Sequence, residues 1–380
     1  MTLLKKKTKV SEVKEAIEDD GEPLNEKEVF DPTRTLSSGS TLLDLAMTES
    51  EGGFVQGKVV NLIGDSHAGK SLLALTMLAE AAHDPKYDEY DLIYDDVEAA
   101  SEMNLAVMFG KKTAKRIMPP FTYKDGTNGQ SDAIQDFYAN LKNAIKRGNP
   151  FVYVLDSFDA LTSLEEQERA DKEAEAFEAG TKVKGSYKME KPKIVSEILR
   201  VVKKDLQDLN SILIVISQTR DDINPMTFTK KTRSGGRALK FYSTHEIWLA
   251  VGKKIKKKER TIGAEVIAKI TKNKITGKSR EVMFPIYTSY GVDDIGSCIQ
   301  FLIEEGVITG GKKKKDKDSD DKGKGKTLKF PELDFEGTQA KLIQMIEDDP
   351  KLLKKLRKIT KETWMDIEDS IKVDRKPKYE

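Results

Sequence analysis

Hydrophobic and polar positions follow different rules in different stretches of this chain. Residues 1–34 are dense in charge and poor in large apolar side chains; their spacing predicts one short helix over 11–18 and a break at 21–23. From residue 35 to about 309, short apolar runs at 59–63, 92–94, 151–155 and 212–216 alternate with stretches of helical periodicity. Strands that are apolar throughout are buried on both faces, so this pattern predicts an α/β core built on a mostly parallel sheet. After residue 248 the mode shifts, and 246–251, 264–271 and 280–286 read as strands joined by turns, an antiparallel extension. Residues 310–326 (GGKKKKDKDSDDKGKGK) carry only charge, Ser and Gly and predict a disordered linker. Beyond them, 338–346, 352–359 and 364–371 have helical spacing, enough for a small helical module. The expected organisation is an arm over 1–34, a candidate oligomerisation element, then a core over 35–309, a linker over 310–326 and a helical module over 327–380.

Composition sharpens the picture in three places. With 380 residues the chain can hold one core of roughly 200 to 250 residues plus attachments. Its 65 Lys and Arg nearly cancel its 64 Asp and Glu, so nucleic-acid binding has to come from local patches. One cysteine, Cys298, and three scattered histidines, His67, His83 and His245, exclude an internal disulfide and a typical structural zinc site. Cys298 lies in an amphipathic stretch, 294–304, where a buried thiol is expected. The first residues, MTLLKKKTKV, lack the apolar run of a signal peptide, and no stretch reaches the roughly 18 apolar residues of a membrane span, so the expected setting is cytoplasmic, with no membrane partner.

Chemistry enters at residues 64–71. Gly64, Asp65, Ser66, His67, Ala68, Gly69, Lys70 and Ser71 spell G-x-x-x-x-G-K-S between an expected strand and an expected helix. In that setting backbone N–H groups curl round phosphates, the lysine reaches the β and γ oxygens, and the hydroxyl ligates Mg²⁺. The expected ligands are therefore ATP and Mg²⁺. His67 occupies a free position in the motif. A second acidic group is needed at the end of a buried strand, and Asp156 fits after 151–155, although an Asp there is also a common cap. A third carboxylate must orient the attacking water; Glu98 follows the strand at 91–94, with Asp95, Asp96 and Glu102 as neighbours of the same chemistry that spacing does not separate.

Three further segments resemble the RecA recombinase family, over residues 36–308. The first is 37–39 (SSG) with 42–45 (LLDL), 52–53 and 57–58, which leads into the phosphate loop. The second, 234–242 (SGGRALKFY), is similar to the family's run that closes its second DNA-binding loop. The third is 269–275 (KITKNKI), where Lys272 and Lys274 match the paired lysines that bacterial-type members insert into the neighbouring subunit's ATP site. The resemblance implies that Glu98 activates water and that Gln218, in 216–220 (ISQTR), senses the γ-phosphate; on the residues alone a surface Gln capping a strand end fits Gln218 as well. It implies a second DNA loop over 223–236, with Arg220, Lys230, Lys231 and Arg233 for phosphates, Gly235 and Gly236 for close backbone approach, and Ile223 as an apolar wedge.

Two departures stand out. The first DNA loop, 161–192, is longer than in the bacterial type, with an acidic segment at 165–178, readable as a solvated helix, and a basic one at 180–193 that offers Lys182, Lys184, Lys188 and Met189. Leu105 stands where many members stack a tyrosine on adenine, so base selectivity rests on packing alone. The compact core and unusual flanks resemble viral recombinases of the UvsX kind within the family. Residues 253–260 (KKIKKKER) lie between two strands and read equally as a basic hairpin tip facing duplex DNA and as a solvated turn. The resemblance implies a filament of this chain on single-stranded DNA that pairs it with homologous duplex DNA, aided by single-strand-binding and mediator proteins. A RecA-fold helicase or clock-type ATPase is the rival enzyme class, and an ATP-binding mediator that exchanges no strands the rival of another class.

Overall fold

The computed structural model describes residues 30–98, 103–179, 181, 191–221, 231–233, 236–310 and 327–375. The core opens with β1 (Thr35–Leu36), α1 (Thr41–Thr48) and β2 (Phe54–Val55), β1 and β2 pairing antiparallel around the helix. Then β3 (Val59–Gly64), α2 (Lys70–His83), β4 (Asp91–Asp96), α3 (Leu105–Arg116), β5 (Ile117–Met118), α4 (Ile134–Arg147) and β6 (Phe151–Asp156) alternate as the apolar runs foretell. Helices α5 (Leu164–Glu178) and α6 (Lys191–Asp208) lead to β7 (Ile212–Asp221). In β3 and β6 every residue is buried, the burial of a central strand covered on both faces.

Alternation along each strand sorts these residues into two apolar layers. Val152 and Val154 join Leu62, Ile214 and the α2 residues Leu73 and Met77 on one face. Phe151, Tyr153 and Leu155 join Val215 with Phe137 and Leu141 of α4 and Val202 of α6 on the other. Helix α5 is different. Ser163 and Glu166 form a capping box, the Glu166 N–H donating to Ser163 Oγ (3.1 Å) and the Ser163 N–H to Glu166 Oε2 (3.0 Å), yet no residue of the helix is buried. The acidic half of the expected first DNA loop is thus a solvated helix.

The second half of the core comprises β8 (Lys231–Arg233), α7 (Gly236–Tyr242), β9 (His245–Lys257), β10 (Arg260–Asn273), β11 (Glu281–Tyr287), β12 (Gly291–Val292) and α8 (Asp294–Glu305). The large sheet runs β12-β11-β10-β9-β3-β7-β6-β4-β5, with β8 paired to β7. β9 runs parallel to β3 and antiparallel to β10, so the antiparallel extension begins one strand later than the sequence pattern suggests. β9 and β10 also run straight through the lysine-rich stretch and turn at Lys258 and Glu259, whose φ of 48° and 61° are the left-handed values a two-residue hairpin needs.

After residue 326 come β13 (Leu328–Phe330), β14 (Phe335–Gly337), α9 (Gln339–Asp348) and α10 (Pro350–Ser370). The stretches 352–359 and 364–371, each of helical spacing, belong to one helix: Asp349 caps it through the Lys351 N–H at 2.8 Å, Pro350 starts it, and no Gly or Pro interrupts it. Phe330, Leu342, Ile346 and Leu356 pack with Cys298 and Leu302 of α8 in one buried cluster. Cys298 is fully buried, and its thiol is held well above its ordinary pKa by that burial. Trp364 reaches past this cluster into the main core, its ring 6.0 Å from that of Phe301. No helix among the described residues is long and apolar enough to cross a membrane.

Candidate nucleotide site

The phosphate loop joins the end of β3 to the start of α2. Gly64 has no room for a side chain, since a Cβ there would lie 2.6 Å from the Leu249 carbonyl oxygen of β9, and Gly69 takes a φ of 85° at the helix N-cap. His67 also takes a positive φ, 64°. The loop therefore closes tightly over the N-terminus of α2, whose free N–H groups and positive dipole end suit an anion. Lys70 is nearly buried, and its ammonium donates to the carbonyls of Gly64 (2.9 Å) and Asp65 (2.7 Å). Burial pulls its pKa down, opposed by the charges of Asp156 and Glu98.

Asp156 ends β6 as expected. It accepts hydrogen bonds from Ser71 and from the Tyr94 hydroxyl (2.7 Å); burial raises its pKa and these two bonds lower it. A serine hydroxyl and a carboxylate side by side, next to an ammonium and a helix N-terminus, form a hard-oxygen donor set of the kind Mg²⁺ takes alongside phosphate. The residues present thus fit both groups: Gly64 to Gly69 would wrap the phosphates, Lys70 would meet their charge, and Ser71 and Asp156 would hold the ion. Mg²⁺ bound there would neutralise charge on the phosphate oxygens.

The carboxylates that spacing left open separate in space. Asp95 points away, buried, and accepts from Ser131 N–H (3.0 Å), Ser131 Oγ (2.6 Å) and Tyr153 Oη (2.6 Å); burial raises its pKa against those bonds. Asp96 stands beside Asp156 in the sheet register, and Glu102 lies outside the described residues. Glu98 is exposed and accepts from Ser157 Oγ (2.8 Å) and from Gln218 Nε2 (3.0 Å). Gln218 is fixed in turn by its own N–H, which donates to Asp159 Oδ2 at 2.6 Å. One residue further, the Thr219 hydroxyl donates to the Asp65 carboxylate of the phosphate loop. Tyr94 and Thr219, in the second halves of β4 and β7, and Ser157 and Asp159, in the turn after β6, are members of this network that sequence reasoning missed.

A family model of the RecA N-terminal domain matches residues 14–293. The chain belongs to the RecA family. The match starts inside the N-terminal arm, earlier than the resemblance read from the motifs, and ends just before α8. Among curated relatives, Protein RecA of Caulobacter sp. (strain K31) is 27% identical over 274 residues, 72% of this chain and 69% of the relative. Protein RecA of Methylobacterium radiotolerans is 27% identical over 285 residues (75% and 71%), and that of Rhizobium leguminosarum bv. viciae 28% over 274 (72% and 70%). RecA membership carries DNA recombination and repair as the broad role, and in general terms ATP with Mg²⁺ as the ligands and DNA-dependent ATP hydrolysis as the activity.

The residues singled out on the RecA resemblance fall in three places. Lys272 lies at the C-terminal end of β10, level with the start of β9, and Lys274 just past it, so they are at the N-terminal edge of β3 and not at the phosphate loop. The Lys272 ammonium donates to the carbonyls of Lys240 and Phe241, the latter at 3.2 Å. That of Lys274 donates to Phe241 O at 3.2 Å and lies 5.8 Å from the Phe241 ring centroid. A cleft of about 1230 Å³ opens at this edge, with Arg34, Lys58, Lys203, Lys204 and Lys274 in its wall beside Asp31 and Asp208.

Of the expected DNA contacts, Lys182, Lys184, Lys188, Met189, Ile223, Lys230 and Gly235 lie outside the described residues. For Arg220, Lys231, Arg233 and Gly236 the main chain is placed: β7 pairs with β8 through Thr219↔Arg233, Arg220↔Thr232 and Asp221↔Lys231, and Gly236 opens α7. The segment after Gln218 therefore leaves the site as a strand. Leu105, at the start of α3, is half-buried and packs against the core. Near it, Gly291 fits against Thr76 of α2 and Phe109 of α3 and carries the half-exposed Tyr290.

Proposed function

We propose that this chain is an ATP-dependent recombinase that assembles head to tail on single-stranded DNA, hydrolyses ATP between adjoining copies, and pairs the bound strand with a homologous duplex. The observation that carries this reading is the register of the sheet. Asn273, between the two lysines, is level with His245, and His245 is level with Val60, four residues before Gly64. At about 3.3 Å per residue that is roughly 13 Å along the strand, before the lateral offset across β9 is added, and too far for a lysine side chain to span. The phosphate loop therefore sits at one edge of the sheet and the paired cations at the other. Stacking one copy on the next brings the two together, and a repeated head-to-tail contact of this kind builds a helix.

In the proposed site Lys70 and the α2 N-terminus bind the triphosphate, and Glu98 accepts the proton of the attacking water. Gln218 donates to Glu98 and lies on β7, the strand that leads to the second DNA loop, so contact with the γ-phosphate and the position of that loop are coupled. Lys272 and Lys274 of the adjoining copy add positive charge where it is needed as the bond breaks, the logic of an arginine finger. DNA contacts remain assigned to the two loops, to Lys182, Lys184, Lys188 and Met189 in the first and to Arg220, Ile223, Lys230, Lys231, Arg233, Gly235 and Gly236 in the second.

The test is a mixing experiment. A Lys272→Ala, Lys274→Ala double variant should bind ATP and turn it over poorly, and Glu98→Gln should do the same for a different reason. Mixed on single-stranded DNA, the two should show a maximum of turnover at intermediate ratios, because some junctions then combine Glu98 of one copy with both lysines of the next. Turnover that stays on the line between the two inactive endpoints would refute action across copies.

A further inference from the structure

Helix α10, beyond the end of the RecA match, grips the loop that follows the lysine pair. Glu368 on its last turns is nearly buried, and its carboxylate takes a two-pronged grip from Arg280, Nε to Oε1 and Nη2 to Oε2, both at 2.6 Å. The same carboxylate takes the Lys278 ammonium at 2.8 Å, and Glu49, at the end of α1, takes that ammonium from the other side at 2.5 Å. Glu368 consequently has a pKa near 2, lowered first by the Arg280 bonds. The grip passes to the lysines through a continuous chain. The Lys278 N–H donates to Thr276 Oγ1 (3.2 Å), which accepts from Asn273 Nδ2 (2.8 Å). Asn273 Oδ1 accepts from the backbone N–H groups of Ile275 (2.9 Å) and Thr276 (3.1 Å), and Asn273 Nδ2 donates to Met47 O (2.9 Å). Asn273 separates Lys272 from Lys274. Four cations, Lys272, Lys274, Lys278 and Arg280, lie within nine residues of chain; Glu368 pairs with the last two, and Glu49 with Lys278. The rest of α10 is independently anchored, with Arg357 on Asp294 Oδ2 at 2.8 Å and Trp364 in the core.

We propose that Glu368 is a positioning residue for ATP hydrolysis: by clamping Lys278 and Arg280 it sets the loop through which Lys272 and Lys274 are presented to the adjoining copy's nucleotide. This rests on the reading of those lysines given above. The C-terminal helix then controls the donor side of each junction and leaves the ATP-binding side of its own copy untouched.

The experiment uses the full-length chain with Glu368→Gln, and with Arg357→Met as a variant that loosens α10 without touching Lys278 or Arg280. Glu368→Gln should bind a fluorescent ATP analogue normally and lose roughly tenfold to a hundredfold in DNA-stimulated turnover, the penalty for displacing a charge by about an ångström. Arg357→Met, at an equal loss of melting temperature, should lose far less. Mixed with Glu98→Gln, Glu368→Gln should regain turnover at intermediate ratios, because the Glu98→Gln partner still presents its lysines correctly. No recovery on mixing, or equal losses for the two α10 variants at equal melting temperature, would overturn the positioning role. If the Lys272→Ala, Lys274→Ala variant keeps full turnover, the failure lies instead in the assignment of the lysines themselves.

Discussion

The two edges of the central sheet are built on opposite plans. At the C-terminal edge, Lys70, Ser71, Asp156, Glu98 and Gln218 come from four adjacent strand ends and are bonded to one another and to the phosphate loop. At the N-terminal edge Lys272 and Lys274 rest on the last carbonyls of α7, where a helix dipole favours cations. In the proposed reading the first edge would hold phosphate and activate water, and the second would supply cations to an adjoining copy. The proposed role of the first edge can be tested inside one copy, whereas that of the second needs a second copy.

The largest expected effect is at the cradle. Lys70→Ala removes the one ammonium inside the loop, and turnover should fall about a thousandfold with nucleotide binding lost, as read by a coupled ATPase assay and a fluorescent analogue. If ATP affinity is unchanged, the C-terminal edge is not the phosphate site. Glu98→Gln keeps shape and DNA binding but lacks a basic carboxylate, so turnover should fall about a hundredfold with ATP affinity retained. An active Glu98→Gln beside an inactive Asp96→Asn would move the water-activating role to the neighbouring carboxylate.

At the opposite edge, His245 sits buried at the start of β9, with Nε2 3.2 Å from Met47 O and 3.1 Å from Asn273 Oδ1, and burial lowers its pKa from 6.5 to about 4. The unfolded chain therefore takes up a proton that the folded chain refuses, and stability is lost as pH falls from 6.5 towards 4. A window that wide corresponds to at most about 3 kcal/mol. Urea unfolding at pH 7 and pH 4.5 should show a drop in the wild type larger than that of His245→Gln by about 2 kcal/mol, and equal drops would place the histidine in water. The smallest effect concerns the link from the cradle to the DNA loop. Thr219→Val removes one hydrogen bond to Asp65, so the DNA stimulation of turnover should weaken about threefold while basal turnover stays put. Unchanged stimulation would uncouple the two.

Local rules made part of this legible. The phosphate loop, the buried strands and the helix around Cys298 each lie within a few consecutive residues, so spacing and apolar runs suffice to find them. Asp95, Asp96 and Glu98 could not be ranked by spacing, because alternation along β4 turns Asp95 into the far apolar layer while its neighbours stay by the loop, and only the packed sheet shows which face is which. The stretches 352–359 and 364–371 join in one helix because nothing between them breaks helical geometry, which their separate apolar spacings alone do not show.

The amino-acid sequence by itself determined the chemistry on offer: a G-x-x-x-x-G-K-S loop, an aspartate at a strand end, and two lysines one residue apart. Tertiary structure decided where that chemistry can act. The edge to which Lys272 and Lys274 belong follows from the register of β10 on β9 and of β9 on β3. The partner of Arg280 is Glu368, 88 residues away. Pairings of that kind depend on which surfaces the folded chain brings together, and no short-range pattern of residues encodes them.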